Sequence, residues 1–219
     1  SRDEMAAIAK VLLKHPHVWV MTDDMYEHLV YDGFEFCTIA AVEPGLRDRV
    51  LTVNGASKTY AMTGWRVGFF GGPKPLIKAM VNMQGQGTSG VAGPCQAAAA
   101  AALDGPQDLV GERAVIYKQR RDMVVEMLNK APGIVCHKPE GAFYVYPNIA
   151  GCIGKTSAGG RRIETDFDFS MALVDEHHVG VVHGAAYGMS PYIRISYATD
   201  TESLREACSR IQTFCRGLK

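Results

Sequence analysis

The 219-residue chain carries 23 Lys+Arg against 23 Asp+Glu, a formal charge of zero, and 47% of its residues are hydrophobic. Neutral balance argues against a generally basic nucleic-acid binder and against an acidic tail, and the apolar share is far above that of a disordered chain. No run approaches the roughly 18 apolar residues of a membrane span, no signal-peptide stretch follows the polar start, and six scattered cysteines without C-x-x-C spacing read as reduced, mostly buried thiols of a soluble, cytoplasmic protein.

In chain order, Ser1-x-x-Glu4 fits a capping box, and Met5, Ile8, Ala9 and Leu12 recur at helical spacing, so the chain opens on a helix. With no strand before it to complete an α/β unit, that helix suggests a piece of something longer. Three short apolar runs follow, at 18–21, 50–53 and 67–70. Without alternation they predict strands of a sheet covered on both faces, as in α/β proteins. Thr22-Asp23-Asp24 and Asn54 to Lys58 sit just past the first two runs, at the edge where open α/β sheets bind ligands.

After Pro75 the pattern turns helical, with Leu76, Met80 and Met83 on one face, then gives way to a Gly/Ser/Thr-rich stretch over 85–93. The alanine run 97–102, with Pro94 near its start, predicts a helix that permits close packing. A long helix is expected over 112–130, stopped by Pro132-Gly133. Short strands at 142–146, 179–182 and 192–197 alternate with a helix at 169–178. The last helix is expected to begin at a second capping box, Thr199-x-x-Glu202, with Leu204, Cys208, Ile211 and Cys215 on one stripe. The expected division is 1–85, a connecting segment 86–110, and a smaller domain 111–219.

Two apparent motifs dissolve on inspection. Gly154-Lys155-Thr156 ends like a phosphate-binding P-loop, but Ile149 occupies the position five residues earlier where that motif needs glycine, so 151–161 reads as a mobile surface loop. The seven histidines include adjacent His177-His178 and the His15/His17 pair around Pro16, and none has zinc-ligand spacing.

The informative stretch is Asn54-Gly-Ala-Ser-Lys58-Thr-Tyr-Ala-Met-Thr-Gly-Trp-Arg66-Val-Gly68. A lysine just past a buried strand can snorkel to solvent; it can equally form a Schiff base, which needs a partly desolvated neutral amine. Arg66, beside glycines that allow close backbone approach, can hold a phosphate through paired hydrogen bonds. Asp23 can serve as a helix N-cap or as a ligand carboxylate, with Asp24 competing for either role. Arg194 alternates with Ile193 and Ile195, so it faces the opposite side of a strand and calls for an anion, internal or bound.

These residues carry a resemblance. The lysine stretch resembles the S-K-x-x-x-x-x-G-W-R-x-G motif of fold-type-I class I/II aminotransferases, bacterial aspartate aminotransferases in particular. Residues 22–28 resemble the family's D-x-x-Y element, and Tyr192 to Ala198 its carboxylate-arginine strand. Glu140 to Tyr144 and Val182-His183-Gly184 match further segments, to which only packing roles are given.

The resemblance implies pyridoxal 5′-phosphate as cofactor, bound covalently by Lys58, with Asp23 on its ring nitrogen, Tyr26 on its phenolic oxygen, and Arg66 and Ser57 on its phosphate; Arg194 then takes the substrate α-carboxylate. Some family members place a phosphate-binding serine where this chain has Gly55. The implied fold is α/β: the C-terminal part of a large domain with a mostly parallel sheet, of which about three strands are kept, plus an α+β small domain. The implied activity is transamination between an amino acid and a 2-oxo acid, with aspartate and 2-oxoglutarate as the expected pair, in a homodimer. The alternatives are an aminotransferase-like effector domain of a transcription regulator and, on the same scaffold, a carbon–sulfur lyase or a cyclopropane-forming synthase.

Overall fold

The computed structural model describes residues 1–219. The chain divides into two compact units, Ser1–Ala114 and Val115–Lys219, the division falling within the helix Asp108–Leu128.

In the first unit α1 (Arg2–Leu13) starts at the expected capping box: Ser1 Oγ accepts the Glu4 N–H, and Glu4 answers at the Ser1 backbone. β1 (Val20–Asp23), α2 (Ile39–Val42), a 3₁₀ turn at Pro44–Arg49 and β2 (Val50–Gly55) follow. Ala9, Ile39, Leu46 and Val50 form a buried cluster, against which Met5, Leu12, Val20 and Ala40 pack. Arg49 ties this cluster to the segment between α1 and β1, donating to the carbonyls of Leu12, His15 at 3.0 Å and Val18 at 2.7 Å.

After α3 (Ala56–Thr59) come β3 (Gly68–Gly71), α4 (Lys74–Gly87), α5 (Gly93–Asp104) and α6 (Asp108–Leu128). The sheet order is β1-β2-β3. β1 and β2 run parallel, with Asp23 opposite Val53; β2 and β3 run antiparallel, with Gly55 opposite Gly68. A second cluster joins Ala56, Val67 and Ala99, so the alanine run serves close packing at Ala99, while Ala97, Ala100 and Ala101 are exposed.

Two expectations for this unit are corrected. Within residues 1–219 only one face of the sheet is covered: Met21 is 73% exposed while its neighbour Val20 packs into the core. The covering elements α1, α2 and the Pro44–Arg49 turn supply a core on the Val20 and Val50 side only. In addition, α4 continues through the glycine-rich stretch as far as Gly87, and Met83 is exposed, because the whole second half of that helix faces solvent.

The second unit holds the remainder of α6, then β4 (Tyr144–Val145), α7 (Asp166–His177), β5 (Val182–His183), β6 (Ile193–Ser196) and α8 (Thr201–Gly217). Its sheet order is β4-β6-β5, antiparallel throughout. The expected stripe on α8 is buried, and Phe214 beside it meets Phe169 of α7 edge to face at 5.1 Å. Cys136, Cys152, Cys208 and Cys215 are buried, Cys37 and Cys95 partly so, and all six are free thiols.

Helix entry differs from the reading in two places. The cap of α8 is Asp200, whose carboxylate accepts the Ser203 N–H at 2.8 Å, so the Thr199 capping box does not form. A capping box forms instead at α7, between Thr165 and Asp168, where aspartate takes the usual glutamate position and starts the helix three residues early. The strand expected at 179–182 begins only at Val182, because the chain leaves α7 through a left-handed His178 and Val179 still bonds back to Leu173.

The P-loop look-alike is a tied segment. Gly154 N–H donates to the Ile163 carbonyl at 2.7 Å, and Thr156 and Lys219 exchange backbone hydrogen bonds at 2.8 and 3.0 Å. Cys152 within it and Ile163 just after it are fully buried. No helix is long and apolar enough to cross a membrane.

Candidate functional site

Strand register builds one polar edge in the first unit. Asp23 ends β1 opposite Val53, β2 runs two residues further into the α3 turn that carries Ser57 and Lys58, and Arg66 lies two residues before β3, whose first residue faces Gly55. Asp23, Ser57, Lys58 and Arg66 therefore share the carboxyl edge of the parallel pair, the place where α/β sheets receive ligands.

Asn54, which the motif reading passed over, ties this edge together. Its Nδ2 donates to Glu27 Oε1 at 2.6 Å and its Oδ1 accepts the Gly55 N–H at 2.7 Å. The lysine turn is thus linked to the turn that carries Tyr26. The only trace in the sequence is an amide side chain at a strand end.

The two aspartates separate cleanly. Asp23 is exposed, with Oδ1 accepting the Met25 N–H at 3.3 Å. Asp24 is buried, and its N–H holds the Val53 carbonyl at 2.9 Å. Burial raises the Asp24 carboxyl above its ordinary value, the neighbouring Thr38 and Thr22 hydroxyls relieve this in part, and Glu27 and Asp23 add to it. Neither threonine hydroxyl completes a hydrogen bond of good geometry.

Lys58, Ser57 and Tyr26 are each partly buried. Arg66 has a left-handed backbone (φ 54°) and an exposed side chain, and it donates to the Thr63 carbonyl at 2.9 Å. One carbonyl occupies a small part of its donor set, which leaves a fork free for an anion. Gly55 is required by close approach: a Cβ there would lie 2.8 Å from the Val67 carbonyl oxygen and 3.1 Å from the Met25 methyl. The family's serine at this position has no room in this chain.

Arg194 stands in the second unit, on β6 between buried Ile193 and Ile195. No carboxylate pairs with it. Its guanidinium lies 4.8 Å from the Tyr144 ring and 4.5 Å from the Tyr187 ring, a cation held between two aromatic faces. Tyr144 ends the segment Glu140 to Tyr144, which was given only a packing role, and it packs on the charged group itself; Tyr187 lies three residues past Gly184, outside the segments that the motif reading named. The signal is invisible in sequence because Tyr144 reaches Arg194 only through the β4–β6 pairing. Tyr146 joins the aromatic group, 6.4 Å from Tyr187, and burial raises its phenol above the ordinary value.

Fold and edge together define an α/β protein with a carboxylate, an amine and a guanidinium set out at a strand edge. Its relatives are specific. The profile described as aminotransferase class I and II matches residues 1–211. An aspartate/prephenate aminotransferase of Cereibacter sphaeroides is 58% identical over 218 residues, covering 100% of this chain and 54% of its own length. An aspartate aminotransferase of Rhizobium meliloti is 55% identical, over 96% of this chain and 52% of its own.

Among solved structures, an aspartate aminotransferase from Rhizobium meliloti superposes with a TM-score of 0.97 at 52% identity, covering 100% of this chain and 55% of that one. An aromatic aminotransferase from Pyrococcus horikoshii does so at 0.88 and 37%, covering 97% and 55%. The chain belongs to the class I and II aminotransferase family. It spans about half the length of the curated relatives it matches.

Proposed function

We propose that the full-length protein is a pyridoxal-phosphate-dependent aminotransferase that moves an amino group between an amino acid and a 2-oxo acid, aspartate with 2-oxoglutarate being the pair best supported. The observation that carries this reading is the placement of Lys58, Asp23 and Arg66 on one sheet edge in a chain matched along its length by aminotransferases. The relatives named for aspartate support the donor, and those named also for prephenate make prephenate a second acceptor to assay.

The residues present fit the cofactor: an exposed carboxylate for a ring nitrogen, a partly buried lysine for an aldehyde carbon, and an open guanidinium for a phosphate. When bound, the cofactor supplies an electron sink for the bond broken at the substrate Cα. Asp23 holds a proton on the ring nitrogen. Tyr26 donates to the phenolic oxygen, and Arg66, with Ser57, neutralises and orients the phosphate. Lys58 would anchor the cofactor, and its amine would serve as the general base for the Cα proton. Arg194 grips the α-carboxylate through its paired N–H groups. The family resemblance further supports a cytoplasmic homodimer, for which light-scattering mass of the full-length protein is the check.

The deciding experiment is turnover of the full-length protein with aspartate and 2-oxoglutarate. Lys58→Ala should abolish it, and borohydride reduction with peptide mass mapping should place the cofactor mass on Lys58. Near-normal turnover of the variant, or label spread over surface lysines, would overturn the reading. Arg194→Leu should act chiefly by weakening substrate affinity.

A further inference from the structure

Asp166 is 1% exposed at the first position of α7. A carboxylate placed there for the helix terminus alone would face the first-turn N–H groups of its own helix. Asp166 instead reaches across to another element: its Oδ2 accepts the Ala185 N–H at 2.9 Å. Ala185 lies in the single 3₁₀ turn Gly184–Tyr187, between β5 and β6. A buried carboxylate left without such a partner is costly, so this contact has to be kept wherever the turn goes.

The turn is pressed against its surroundings. Gly184 N–H donates to the Tyr192 carbonyl at 2.7 Å, Met189 N–H donates back to the Gly184 carbonyl at 3.0 Å, and a Cβ on Gly184 would collide with the Met189 carbonyl oxygen. Tyr187 closes the turn, and its ring covers one face of the Arg194 guanidinium while Tyr144 lies over the guanidinium from β4. Tyr187 is 50% exposed, so packing alone does not fix its ring.

We propose that Asp166 is a positioning residue: by holding the Ala185 N–H it fixes the turn that lays Tyr187 over Arg194, and so presets the guanidinium for a substrate α-carboxylate. This rests on the reading of Arg194 as the carboxylate-binding group. Held between rings, the guanidinium is aimed before substrate arrives, and less rotamer freedom is lost on binding.

The test uses the full-length enzyme. KM and kcat are measured for aspartate and 2-oxoglutarate, together with the dissociation constant of succinate, a carboxylate that cannot react. Asp166→Ala should raise KM and the succinate constant by about fivefold, the scale of one partly exposed cation–π contact, with the loss falling on affinity more than on kcat. Asp166→Asn keeps an acceptor oxygen for the Ala185 N–H and should restore most of the affinity. Tyr187→Leu should produce the same loss, and the Asp166→Ala/Tyr187→Leu double variant should be no worse than either single one, because both remove one device.

Additive losses, or Asn and Ala variants that lose affinity alike, would overturn the proposal, as would a fall in thermal stability with affinity intact. Should the alanine variant not fold, Asp166→Glu, which displaces the carboxylate by one methylene, carries the same comparison. Arg194→Lys separates the two readings: unchanged affinity in that variant refutes the role of Arg194 itself, whereas weakened affinity there with no effect at Asp166 refutes only the positioning role.

Discussion

Asp23 and Asp24 are neighbours of the same type, yet one ends a strand facing solvent and the other turns inward. Burial holds the Asp24 carboxyl above its ordinary 3.8. A raised folded value means that the native state binds the proton more tightly than the unfolded chain. The stability contribution is therefore complete below pH 3.8 and declines as pH rises through the folded value. Asp24→Asn should leave thermal unfolding near pH 3.5 little changed and raise the midpoint at pH 7; no gain at pH 7 would contradict the assignment. At this scale Lys58 and Arg66 were legible, because one contiguous motif carries both. The Tyr144 and Tyr187 clamp was not, because it exists only once β4 and the Gly184–Tyr187 turn are brought to β6.

Among the elements, the alanine run in α5 has a mechanical role. Ala99 is 5% exposed against Ala56, at the start of the turn that carries Lys58. Ala99→Leu forces extra volume into that contact and should destabilise the protein by about 1–3 kcal/mol, measured by urea unfolding. If stability is unchanged, the contact is looser than the structure shows. Helix entry supplies a second test. Asp200 caps α8, and the Ser203 hydrogen bonds pull its carboxyl below the ordinary 3.8. A lowered folded value gives stability that is present above pH 3.8 and lost as pH falls through the folded value. Asp200→Ala should therefore lower the thermal midpoint at pH 7, while Thr199→Ala should not; the reverse order would restore the capping box read from Thr199 and Glu202.

Across the molecule, the buried thiols link folding to alkaline pH. Burial, with the Cys208 thiol nearby, pushes Cys136 from 9.0 up to about 12, and burial takes Cys208 to about 11. The folded chain keeps these protons where the unfolded chain releases them, so stability is complete below pH 9.0 and falls as pH climbs toward 12. Cys136 is also held in place by Asn129, whose Oδ1 accepts its N–H at 2.8 Å and whose Nδ2 donates to its carbonyl at 2.9 Å. Cys136→Ala should flatten the decline of the urea midpoint between pH 9 and 12, at some cost in stability at pH 7. An unaltered alkaline slope would exclude Cys136 as its source.

What the sequence determined by itself was local: the apolar periods that make α1 and α8, the order of Asp23, Lys58 and Arg66 past strand ends, and the alternation that sets Arg194 apart from Ile193 and Ile195. Each depends on residues a few positions apart, whose geometry follows from the helix or strand period. Tertiary structure decided the rest. It buried Asp24 instead of Asp23, bound Asn54 to Glu27, and set Arg194 against rings from two other elements. Those outcomes turn on which distant residues occupy the same few ångströms, and a linear pattern of polar and apolar positions holds no information on that.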